Sequence, residues 1–105
     1  MPKIKIQSYP RRDDFLAKDA LRRHFAEIDE SAAITVDATP SGMVHIMVVS
    51  SHFDAVSQRN RYEEVLSTLG DTTGKDTGVV RKVSRCMLFT PEEYRETYGS
   101  EYPAA

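Results

Sequence analysis

The run Met43-Val-His-Ile-Met-Val-Val49 constrains the fold more than any other segment. Only His45 interrupts its apolar character. The run is too short to cross a bilayer, which takes about 20 apolar residues. A short continuous apolar run with this many β-branched residues fits a strand buried on both faces, in the interior of a sheet. An interior strand needs a neighbour on each edge, and the chain offers two. Ala33 to Ala38 reads as a short strand with Ile34 and Val36 on one face, and Thr39-Pro40-Ser41-Gly42 forms the turn that makes a hairpin with the run. Val79 to Phe89, rich in β-branched and large apolar residues, reads as a long strand.

Helices fill the spaces between. Asp13 and Asp14 suit a helix start, where carboxylates meet unpaired amides and the positive dipole end. Phe15, Leu21, Phe25 and Ile28 recur at roughly helical spacing. Val56 to Leu69 reads as a second helix, with Tyr62, Val65, Leu66 and Leu69 as its apolar stripe and Gly70 closing it. Asp71 to Gly78 reads as a polar connector. Its Gly70-Asp71-Thr72-Thr73-Gly74-Lys75 lacks the spacing of a phosphate loop. Thr90-Pro91-Glu92-Glu93 opens a last helix: Thr90 caps, Pro91 takes the first helical position, Glu93 completes a capping box, and Gly99 ends it. The expected fold is α+β, a two-layer α-β-β-α-β-α arrangement with a three-stranded mixed sheet. Residues 1–12 read as a tether, 13–99 as the domain and 100–105 as a loose tail.

Composition narrows the function classes. The net charge is −2, from 14 basic and 16 acidic residues, which argues against a strong nonspecific nucleic-acid binder. One cysteine, Cys86, excludes an internal disulfide and fits a reducing compartment. With no secretory-type start and no long apolar run, the expected location is the cytoplasm. No nucleophile–base pair or pair of separated carboxylates is recognisable, so a non-enzymatic role is expected.

Val48-Val49-Ser50, Phe53, Ser57, Arg61 and Val65, followed later by Thr90-Pro91 with Glu93, form an ordered set that resembles the BolA-like family across about residues 14 to 98. That family carries an apolar strand ending V-V-S, a Phe, a small-residue turn, a Ser, an R-H-R triplet and a later T-P-x-x-W. Here Ala55 stands at the turn glycine, Tyr62 and Glu63 follow Arg61 in the triplet, and Tyr94 replaces the Trp. Lys82 falls at the position of the family's signature histidine. The loop near Pro40 to Gly42 has neither Cys nor His.

The resemblance implies a fold similar to a type II KH domain and a role in iron–sulfur trafficking, stress response or transcriptional control. It implies a monothiol glutaredoxin as partner, sharing a [2Fe–2S] cluster to which histidine supplies imidazole nitrogen. Lys82 has no lone pair at neutral pH, so ligation at that position is not expected, nor any cluster bound by this chain alone. Cys86, about 13 Å along the same strand, is too far to replace it and reads as a small buried hydrophobe.

Two functions therefore stand as expectations. One is an accessory protein, monomeric or weakly dimeric, binding a protein partner. The other is a nucleic-acid-binding regulator that uses a basic face. Ser57, Arg59, Arg61, Tyr62, Arg81 and Lys82 would line the functional surface in either case. Among the histidines, His24 reads as a solvated helix residue and His45 as a satisfied sheet residue. His52, after the interior strand, is the one candidate metal ligand.

Overall fold

The computed structural model describes residues 12–73 and 79–99. Helix α1 (Arg12–Ala26) is followed by strands β1 (Ala33–Ala38) and β2 (Val44–Val49), and a 3-10 turn (Ser51–Phe53) leads into helix α2 (Gln58–Thr73). A short helix α3 (Val79–Lys82), strand β3 (Val83–Phe89) and helix α4 (Pro91–Tyr98) complete the domain. The expected tether up to residue 11, the connector residues 74–78 and the tail 100–105 lie outside the described residues.

The sheet has the order β1-β2-β3, with β1 antiparallel and β2–β3 parallel. This is the expected α+β arrangement, with the apolar run as the central strand. Helices α1 and α2 cover one face. Ala17, Ala20, Leu21 and Phe25 of α1 and Val65 and Leu69 of α2 form one buried cluster with Val44, Ile46, Val48, Phe53 and Leu88. Strand β2 is nevertheless not buried on both faces as expected. Its burial alternates, with His45 and Met47 half-buried on the side away from the helices. Antiparallel pairing to β1 permits this, since such sheets commonly keep one face wet.

Four local expectations are corrected. The segment from Val79 begins as a helical turn, so Lys82 lies in α3 and β3 starts at Val83. Helix α2 starts two residues later than expected, because Ser57 serves as its cap: Ser57 Oγ accepts the Asn60 amide at 3.2 Å, the N-cap geometry. The helix also runs past Gly70 to Thr73. Ile28, expected on the apolar face of α1, lies beyond the helix and is 43% exposed. The final helix is as expected. Thr90 and Glu93 form a capping box, and Gly99 closes the helix at φ 86°.

Two backbone positions carry residues opposite to what their conformation favours. Ala55 sits at φ 63°, a left-handed conformation that penalises a Cβ. Gly70 lies inside α2, where an added Cβ would meet nothing within 4 Å. Ala55→Gly and Gly70→Ala should each stabilise the fold by roughly 0.5–1 kcal/mol, read as raised urea midpoints with unchanged m-values. Phe53, fully buried against Phe25 with ring centroids 5.8 Å apart, should behave oppositely. Phe53→Ala should cost about 3–5 kcal/mol in the same experiment, and a near-neutral result would remove Phe53 from the core.

Candidate functional site

The side chains singled out in the sequence divide into those the fold consumes and those it leaves at the surface. Arg61 belongs to the first group. It is 5% exposed and takes the core-facing position on α2 one turn before Val65. Its Nε donates to the Val56 carbonyl at 2.8 Å, and Nη1 donates to the Leu88 carbonyl at 3.1 Å. Nη1 and Nη2 grip the Glu93 carboxylate at 2.7 and 3.3 Å. The guanidinium carbon lies 5.5 Å from the centre of the Phe53 ring. A buried cation requires such compensation, and the expectation that Arg61 lines an exposed face is therefore corrected. Tyr62 is displaced in consequence. Expected in the apolar stripe, it is instead 44% exposed.

Arg59 is exposed and reaches Glu63 one turn away at 3.4 Å. Arg59, Tyr62 and Glu63 thus share the outward side of α2, three and four residues apart, with the cap Ser57 just before it. Arg81 is exposed and Lys82 half-buried, both in α3. That helix packs against α2. The structure thus keeps Ser57, Arg59, Tyr62, Arg81 and Lys82 on two neighbouring helices and withdraws Arg61.

A second cluster was not anticipated. Glu64 receives both histidines that flank the core: His24 Nε2 lies 2.7 Å from Oε2, and His52 Nε2 lies 2.9 Å from the same oxygen. The expectation of a solvated His24 is corrected, since it bridges α1 to α2. The sequence separations of 40 and 12 residues hide this contact from any local motif. Burial pushes the Glu64 carboxyl up, but the hydrogen bonds and charge of the two histidines outweigh it and hold its pKa low.

Asp29, in the turn after α1, plays a comparable role. Its carboxylate accepts from Ser50 Oγ at 2.7 Å and from the Ser51 and Ser31 amides at 3.2 and 3.0 Å. Burial raises its pKa, and these bonds, led by Ser50, bring it below the usual value. Glu93 is lowered first by the Arg61 hydrogen bond, which prevails over burial, and the Thr90 amide adds to it.

A shared [2Fe–2S] cluster can be tested against the donors present. At the resemblance's histidine position Lys82 offers an ammonium, not a lone pair. Burial pushes the Cys86 thiol up to about 11, so it is not a ready thiolate, and its side chain packs against the core. His52 Nε2 is engaged by Glu64. Among the described residues, no group of three or more His, Cys, Asp or Glu side chains is placed to hold a metal ion. Lys82, Cys86 and His52 as placed do not fit the ligand role in an iron–sulfur cluster.

The three lowered carboxyls set an acid response. A carboxylate whose folded pKa lies below its unfolded value of 3.8 (Asp) or 4.5 (Glu) stabilises the fold above that value. The contribution is lost as pH falls through the folded pKa. The urea midpoint should therefore drop progressively below about pH 4.5, and Glu64→Gln should shrink that drop.

No helix among the described residues is long and apolar enough to cross a membrane. Compared with known proteins, the chain matches no family model, no curated protein and no solved structure.

Proposed function

We propose that this chain is a non-catalytic accessory protein that binds a protein partner through the outward face of α2. The observation that carries the reading is Tyr62, an exposed aromatic ring beside the mutually neutralising Arg59 and Glu63. Exposed tyrosines with a balanced polar rim are what protein interfaces use as anchors. A phosphate backbone instead selects clustered, uncompensated cations. With Arg61 buried and Arg59 paired, the basic face of the nucleic-acid reading loses two of its four contributors. The BolA-like resemblance supports a monothiol glutaredoxin as the partner class. Since the donors do not fit a cluster, the contact is protein to protein.

The test mixes the full chain with a cluster-loaded monothiol glutaredoxin and reads complex mass and visible spectrum together. A complex should form with the cluster bands unchanged, and Tyr62→Ala should weaken it by on the order of tenfold. The absence of a complex, or one indifferent to Tyr62→Ala, overturns the reading. Steeply salt-dependent binding to a nucleic-acid duplex instead would favour the regulator.

A further inference from the structure

The sheet face opposite α1 and α2 has its own composition. Alternation along β2 sends His45 and Met47 there. Pairing registers set two cross-strand rows on that face: Thr35, Met47 and Met87 in one, and Asp37, His45 and Arg85 in the next. All six side chains line a single open concavity of about 120 Å³. The register depends on an irregularity in β3. Val44 pairs with Val83 but His45 pairs with Arg85, which leaves Ser84 as an extra residue. Such a bulge re-aims the side chains that follow it. Without it Arg85 would face the core and Met87 would stand opposite the wrong neighbour.

We propose that this concavity binds a soft monovalent cation, copper(I) or its analogue silver(I), through the thioether sulfurs of Met47 and Met87 and an imidazole nitrogen of His45. Met47 and Met87 are direct partners on adjacent strands, about 4.8 Å apart at the backbone. Two flexible side chains at that spacing can converge on one ion between them. His45 is two residues from Met47 on the same face, about 6.6 Å along the strand, within reach of the same point.

Thioethers are poor ligands for hard cations and select copper(I), and imidazole is a suitable companion donor. The two thioethers carry no charge, so a monovalent ion adds a single charge to the site. Asp37 stands in the same row as Arg85, on the other side of His45, and puts a carboxylate on the rim as well as the guanidinium. Ordinary core packing does not account for the two methionines. Neither belongs to the buried cluster nor to the side chains packed against it.

The experiment uses the full chain with methyl-labelled methionine, which gives four signals for Met1, Met43, Met47 and Met87. Silver(I) is titrated in, and copper(I) affinity is measured anaerobically by competition with a chromogenic chelator. At one equivalent of silver(I), the Met47 and Met87 methyl signals should move while those of Met1 and Met43 stay. Met47→Leu and Met87→Leu, volume-conserving changes checked by circular dichroism, should each weaken binding by on the order of tenfold or more. Cys86→Ala should leave affinity unchanged. The proposal is overturned if the Met47 and Met87 signals do not respond, if their response disappears with Cys86→Ala, or if zinc(II) moves them equally.

Discussion

The guanidinium of Arg61 is the point on which the structure closes. Its partners come from segments far apart in the chain: the Val56 carbonyl before α2, the Leu88 carbonyl in β3, and Glu93 in α4. An apolar replacement would leave the Val56 carbonyl without the Arg61 donor and the Leu88 carbonyl with the longer Gln58 amide contact at 3.3 Å, and a donor deficit of this kind costs about 1–3 kcal/mol when buried. Glu93 works twice in this arrangement. One carboxylate accepts the Thr90 amide in the capping box at 2.9 Å and also meets Arg61. The cap of α4 and the anchor of α2 are therefore one network, and losing either member disturbs both. The position of Tyr62 follows from it, because a helix that turns residue 61 inward turns residue 62 about 100° away.

The parts of this fold that could be read from the sequence are those with a local cause. Thr90, Pro91, Glu93 and Gly99 define the last helix because capping acts over three or four residues. The central position of β2 follows from its apolar run, and the hairpin from Thr39 to Gly42. What escaped reading has a non-local cause. Its charge and the resemblance place Arg61 on a functional face, whereas the Leu88 carbonyl and the Glu93 carboxylate, 27 and 32 residues away, draw it inward over the Phe53 ring. Glu64 became the meeting point of His24 and His52 only after α1 and α2 packed together. Ser57 is the exception, since its cap to the Asn60 amide acts over only three residues and yet does not stand out from the sequence.

The two faces of the sheet show how a single residue can separate stability from chemistry. In strict alternation the segment from Val83 to Phe89 would keep Val83, Arg85, Met87 and Phe89 on one side. The extra residue at Ser84 breaks that alternation after Val83. Val83 stays packed against the core, as do Cys86 and Leu88, while Arg85 and Met87 turn to the open face beside His45 and Met47. Helix α4 then covers the end of that face, where the Phe89 ring meets Tyr94 and Tyr98 edge to face with ring centroids 5.8 and 6.1 Å apart. The core is thus completed by the residues a core needs. The polar and thioether side chains that it could not accommodate are collected, in register, on the side where they can meet a ligand.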